Sequence, residues 1–225
     1  MIPVVLASQS PSRRAILTAS GIEPTVIVSE VDEDAIEETF SGGVGDLTTA
    51  LSEAKARAVV DRIAAMPPGS LPAPLADELS CVVIAGDSLL EHRGQAIGKP
   101  GTAERTREVW ADMAGEWTTL HTGHSLALLE RASTDEPLAL RDLRSARSST
   151  AVLIGTPTPE ELEAYIATEE PFHVAGALTI DGYGGAFVDR LDGDHLTVLG
   201  LSLPTVRQLA QEIGLFWPDL WTPRR

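Results

Sequence analysis

The N-terminal stretch commits the chain to a fold that mixes strand and helix. A β-branched apolar run, "IPVV", passes through "LASQS" into a helical segment from about Ser12 to Ser20, and a second such run, "TVIV", begins at Thr25. Gly21 follows the helical segment directly, and glycine enters the left-handed conformation that ends a helix without steric cost. Strand, helix and strand in this order need a common core that covers a sheet with helices.

The rest of the chain adds elements of both kinds. "LTTALSEAKARAVVDRIAAM" reads as an amphipathic helix with Leu51, Ala54, Ala58 and Val59 near one face, ended by Pro67 and Pro68. Residues 67–80, "PPGSLPAPLADELS", carry no apolar period and read as a surface loop. "CVVIAG" reads as a buried strand with Asp87 directly after it, where strand ends in open α/β sheets face ligand crevices. A helix is expected from Thr102 to Gly115, followed by the strands "TTLHTGHSLALLE" and "STAVLIG" with a polar loop between them. Thr158 and Glu161 have the spacing of a capping box, with Pro159 at the first helical position. "DGYGGAFV" leads into short strands, and "PTVRQLAQEI" forms a last helix ending at Gly214. The irregular alternation implies an α/β fold, a mixed twisted sheet flanked by helices, as one domain over residues 1–225.

Charge and composition exclude several roles. A formal charge of −16 opposes stable nucleic-acid binding, which needs many cations to displace counterions. A single phosphorylated ligand is compatible with it, because one pocket needs only a few convergent cations. Cys81 has no second cysteine to pair with and sits in an apolar run, so a buried thiol is expected. No basic leader opens the chain and no apolar run approaches ~18 residues, so no membrane contact and a cytoplasmic location are expected.

The opening segment also carries candidate chemistry. Ser8 and Ser10 offer hydroxyls, Pro11 fits a first helical turn, and the free N–H groups of that turn suit an anion. Arg13, with Arg14 beside it, adds charge-assisted hydrogen bonds to phosphate oxygens. Read alone, the segment suits equally a capped surface helix with two solvated arginines. Lys55 stands among alanines and Lys99 in a "GKP" turn, where a solvated lysine is the ordinary alternative. Glu33 in "SEVDEDAI" and Asp87 in "AGDS" are the candidate acids for a hard divalent cation or for activating water. Walker A, HExxH, CxxC, Rossmann and GxSxG patterns are absent from the sequence. His121 and His124 face opposite sides of a strand, which suits a metal poorly.

In one order along the chain stand "LASQSPSRRAIL", "SEVDED", "EAKARAV", "AGDSLL", "GKPG", "TGHSLAL", "EPFHVAGALTIDGYGGAFV" and "VLGLSLP". This set resembles the Maf family of nucleotide pyrophosphatases, from about residue 4 to residue 214. The resemblance implies two lobes around a central cleft, as in inosine triphosphate pyrophosphatases, and a homodimer. It implies hydrolysis of nucleoside triphosphates to monophosphate and pyrophosphate with a divalent cation, Mg²⁺ or Mn²⁺. Carried over by position, it makes Ser8, Arg13, Lys55 and Lys99 phosphate contacts, Glu33 a metal-binding acid, and Asp87 the catalytic acid or base that shares the metal.

Two positions depart from the family's commonest pattern. Ser12 stands where an arginine usually follows the proline in the family it resembles, and a branch acting on 7-methylated guanine nucleotides also lacks that arginine. Asp181, in "LTIDGYGG", stands where members acting on thymidine and uridine triphosphates usually carry glutamine. An ionised carboxylate only accepts hydrogen bonds, so Asp181 suits a base edge with two donors, such as guanine N1–H and its 2-amino group. A purine preference or a relaxed one is the expectation. The rival readings are a nucleotide-binding regulator of cell division without essential turnover, and a nucleotidyltransferase, which normally wants a longer glycine-rich loop.

Overall fold

The structure, a computed structural model, describes residues 1–223. Strand β1 (Val4–Leu6) leads into helix α1 (Pro11–Ala19), and β2 (Thr25–Val26) returns parallel to β1. Helix α2 (Glu33–Thr39) and the long α3 (Val44–Ala65) follow. The chain then forms β3 (Ser80–His92), β4 (Gln95–Ile97), α4 (Ala103–Met113) and β5 (Trp117–Glu130). It closes with β6 (Ala139–Ile154), α5 (Pro159–Ile166), β7 (Val188–Asp192), α6 (His195–Val198) and α7 (Leu203–Glu212).

The strands make one seven-stranded mixed sheet in the order β2-β1-β3-β5-β6-β7, with β4 on β3. β1 is parallel to both its neighbours and the other pairings are antiparallel. Side-chain alternation along β3 divides the core. Cys81, Val83 and Ala85 pack with Val59, Val60 and Ile63 of α3, while Val82 and Ile84 pack with Ile16 and Leu17 of α1 and Val206 and Leu209 of α7. A third apolar cluster lies at the far end of the same long strands, where Leu90, Leu120 and Val152 meet Trp110 of α4 and Tyr165 of α5. Two packed lobes are thus threaded by continuous strands, and the strand residues between them are polar or small: Asp87, Ser88, Thr122, Gly123, His124 and Ser125. No helix among the described residues is long and apolar enough to cross a membrane.

This waist corrects the expected place of Asp87. It does not follow a strand end but sits inside β3, opposite Gly123 of β5. β1 pairs with β3 as far as Ile84 and β4 begins to pair at Leu90. Between them β3 keeps β5 on one side and, among the described residues, no strand on the other. The parallel part of the sheet ends just before Asp87, so the crevice logic holds although the strand runs on.

Three further expectations are corrected. The polar loop expected before "STAVLIG" is mostly strand, because β6 begins at Ala139 and pairs with β5 throughout. Its outward arginines pair with acids, Arg141 with Glu130 and Arg147 with Asp46, and so hide a strand in a polar sequence. The loop at 67–80 is not purely surface, since Leu71 and Leu75 are buried in the core and the Arg131 guanidinium donates to the carbonyls of Leu75 and Ala76. On α3 the buried face is Leu51, Ser52, Lys55, Ala56, Val59, Val60 and Ile63, with Ala54 and Ala58 half-buried. Alanines are too small to fix a helix face by themselves, and contact with the sheet decides it.

Candidate active site

Helix α1 opens onto the exposed flank of β3. Ser10 caps it, its Oγ accepting from the Arg13 N–H at 3.4 Å. Ser8 Oγ accepts both the Ser10 N–H, at 3.2 Å, and Arg13 Nη1–H, at 3.0 Å. With both acceptor positions used, the Ser8 hydroxyl proton is free to donate to an anion. Ser10 is therefore a helix cap first, whereas Ser8 is set up as a donor.

Arg13 is fixed from three sides. Its Nε donates to the Gly200 carbonyl at 2.8 Å, Nη1 to Ser8, and Nη2 to Ser88 Oγ at 3.1 Å, leaving the other N–H groups of the fork unengaged. Glycine leaves room beneath it, because a Cβ at position 86 would stand 3.2 Å from Arg13 Nε and 3.4 Å from the Gly200 oxygen and crowd both. Gly200 itself adopts φ +99°, which only glycine tolerates freely. Burial lowers the Arg13 pKa while Asp87 and Glu33 raise it, so a guanidinium that stays charged is held beside two carboxylates.

Lys55 completes the floor. It projects from the buried face of α3, and its Nζ donates to Asp87 Oδ1 and lies 3.0 Å from Glu33 Oε1. Lys55 and Asp87 are each only 7% exposed, which excludes the solvated-lysine alternative. Glu33 approaches from the first turn of α2, a helix capped by Asp32 and not foreseen from the acidic run. The structure thus gathers Ser8, Arg13, Lys55, Glu33 and Asp87 at one place. Oxygen donors and fixed cations at that place can hold a polyanion, and the Asp87 carboxylate can orient or deprotonate a water.

Sequence reasoning missed several residues here. Ser88 anchors Arg13 and shares a hydrogen bond with Thr122 at 2.9 Å; its signal was adjacency to Asp87. Glu37 stands four residues after Glu33, hence on the same helical face, and its pKa is raised by partial burial and by Asp87, Asp34 and Glu33. His124 is fully buried, and its Nε2 accepts the Ser202 N–H at 2.8 Å just after the turn that carries the Gly200 oxygen. Burial and the nearby Arg13 push its pKa down to about 4, so the ring is neutral. Its opposite neighbour His121 instead meets Ser149 at 2.8 Å and Glu91 at 3.2 Å.

The remaining candidates form a rim. Asp181 is exposed, and its Oδ2 accepts from Ser12 Oγ at 2.9 Å, so the two positions that depart from the family pattern touch each other across the cleft. The Asp181 loop is secured by Glu170, whose carboxylate accepts the N–H groups of Tyr183 and Gly184, each at 3.1 Å. Lys99 is exposed and, among the described residues, makes no ion pair or hydrogen bond. Its loop is tied to the same rim through Gly101 N–H, which donates to the Phe172 carbonyl at 3.1 Å.

Comparison with known proteins shows what the whole chain is similar to. A curated relative from Streptomyces avermitilis, named nucleoside triphosphate pyrophosphatase, is 43% identical over 98% of this chain and 95% of its own length. Relatives of the same name from Mycobacterium sp. (strain JLS) and Rhodococcus erythropolis are 43% and 42% identical, covering 97% and 98% of this chain and 98% and 97% of their own. The solved structure of the Staphylococcus aureus Ham1 protein aligns with 68% of this chain and 72% of that chain at a TM-score of 0.34 and 12% identity, too loosely to carry an argument. Residues 3–213 match the family described as Maf-like protein, and the chain belongs to that family.

Proposed function

We propose that this chain hydrolyses nucleoside triphosphates to the monophosphate and pyrophosphate. The observation that carries the reading is Lys55, buried between Asp87 and Glu33 beside an Arg13 with unengaged N–H groups. Burying a lysine and a carboxylate is costly even when they pair, so their presence here points to a use for fixed charge, and the names of the curated relatives point the same way. Arg13, Lys55, the Ser8 hydroxyl and the α1 N-terminus bind the triphosphate, with Lys99 reaching it from the rim. Asp87 orients and deprotonates the water that attacks the α-phosphorus. These groups are fixed before charge builds on the phosphoryl oxygens, which is where preorganised electrostatics lowers a barrier.

The donor set fits a divalent cation, Mg²⁺ or Mn²⁺. Glu33 and Asp87 both reach Lys55 Nζ, and no group of three or more potential ligands converges among the described residues. Two carboxylates suit a cation whose remaining positions are taken by substrate phosphates and water, the usual arrangement for Mg²⁺. When bound there, the cation neutralises charge on the phosphates.

Asp181 favours bases that present N–H donors, because Ser12 engages Oδ2 and leaves Oδ1 open. Guanine-type bases are the preferred class in this reading, and the working form is a homodimer, as the family resemblance implies. The test is incubation of the chain and its Asp87→Asn form with canonical, methylated and deaminated triphosphates plus Mg²⁺ or Mn²⁺, with pyrophosphate measured separately from orthophosphate. Pyrophosphate and monophosphate, lost in Asp87→Asn, are expected. Orthophosphate alone overturns the reading, and nucleotide binding without turnover puts the regulator in its place.

A further inference from the structure

Tyr183 is 70% exposed, more than any other large apolar or aromatic side chain described. An aromatic ring left in water on a mobile loop means little, but the main chain under this one is pinned. Glu170 accepts from the Tyr183 and Gly184 N–H groups, the Gly182 N–H donates to the Thr179 carbonyl at 3.2 Å, and the Gly185 N–H donates to the Gly182 carbonyl at 3.2 Å. A Cβ on Gly182 would collide with the Glu170 carboxylate, and one on Gly185 with the Ile180 carbonyl. The loop is built tightly in order to hold its shape, and the ring is what it displays.

The surroundings of the ring are also given. Tyr183 lines an open surface depression of about 340 Å³ together with Asp181, Gly182 and Glu170. Asp181 touches Ser12, and Ser12 adjoins Arg13, which touches Ser88 next to Asp87. The contacts therefore lead from the proposed phosphate-binding floor across the first turn of α1 to this depression. Of the other exposed aromatics, Trp117 begins β5, and Phe216 and Trp221 lie in the C-terminal segment, where Trp221 packs beside Gly21 at the far end of α1.

We propose that Tyr183 is the stacking platform for the nucleobase, its ring lying against the base face while Asp181 meets the base edge. This rests on the nucleotide reading above and adds a contact that is tolerant of base identity, since every base has a π-face. The fixed loop keeps the ordering cost of the contact low.

Steady-state kinetics of the Tyr183→Ala and Tyr183→Phe chains test the proposal, with inorganic tripolyphosphate as a base-free competitor. Tyr183→Ala is expected to raise KM about tenfold, more for purine than for pyrimidine triphosphates, with kcat within about twofold. Tyr183→Phe restores the wild-type KM, and inhibition by tripolyphosphate is the same in all three chains. An unchanged KM in Tyr183→Ala overturns the proposal. So does an equal loss of tripolyphosphate affinity, or failure of phenylalanine to rescue. Should the wild-type chain release no pyrophosphate, the activity reading fails by itself, and titration of nucleoside monophosphates into the same variants decides the stacking contact.

Discussion

The floor and the rim of the cleft are held by opposite means. On the floor, Arg13, Lys55 and Asp87 belong to α1, α3 and β3, and each has its charged atoms engaged by partners from other elements. On the rim, Lys99, Asp181 and Tyr183 are exposed, and what is fixed is the main chain beneath them. The groups assigned to chemistry are locked by the same packing that stabilises the protein. The groups assigned to recognition can be exchanged without disturbing it. Chemistry and stability are thus coupled at one end of the cleft and separable at the other.

The strongest way to break this contrast is at Asp87. Asp87→Asn is expected to lower pyrophosphate release by about a thousandfold with nucleotide affinity largely kept, measured by turnover and by equilibrium titration. Unchanged turnover removes Asp87 from the chemistry.

Next in size is a comparison of two lysines. Lys55→Met strands the Asp87 carboxylate in a buried site and should cost about 3–5 kcal/mol in urea unfolding, while Lys99→Met should cost less than about 0.5 kcal/mol. Combining Lys55→Met with Asp87→Asn should recover much of that stability and none of the activity. Equal losses for the two lysines would erase the distinction between floor and rim.

Acid offers a third test, at His124. Its folded pKa of about 4 lies below its ordinary 6.5, so the unfolded chain takes up the proton first. The stabilising contribution is complete above about pH 6.5, declines as pH falls towards 4, and levels off below that. The loss is on the order of 3 kcal/mol and should be absent from His124→Gln, as read from unfolding curves of both chains at a series of pH values. The smallest effect is expected at the rim, where Asp181→Asn should reorder the preferred bases by several-fold while leaving the unfolding midpoint in place.

Much of the fold and of the candidate site is legible in the amino-acid sequence. The strand–helix–strand opening, the Thr102 cap and the capping box at Thr158 are local features, written in adjacent residues, and each is found where expected. Ser8, Arg13, Lys55, Glu33 and Asp87 could be chosen by residue type and order. What stayed hidden depends on register. Nothing near Asp87 says that its strand continues to His92, or that Gly123 stands opposite. Arg141, Arg144 and Arg147 make β6 look like a loop because the acids that pair with Arg141 and Arg147 lie elsewhere in the chain. Lys55 could not be told from a solvated lysine until its helix was docked, and the Ser12–Asp181 bond joins residues 169 positions apart in the sequence.

Gly123 has a mechanical consequence. A side chain there would run into the Thr48 carbonyl of α3, so helix and strand touch backbone to backbone with no compressible layer between them. Such a joint transmits displacement instead of absorbing it, and α3 must travel with the sheet as one rigid body. A ligand entering beside Lys55 therefore meets a wall that does not yield, and room for it cannot come from α3 sliding away from β5.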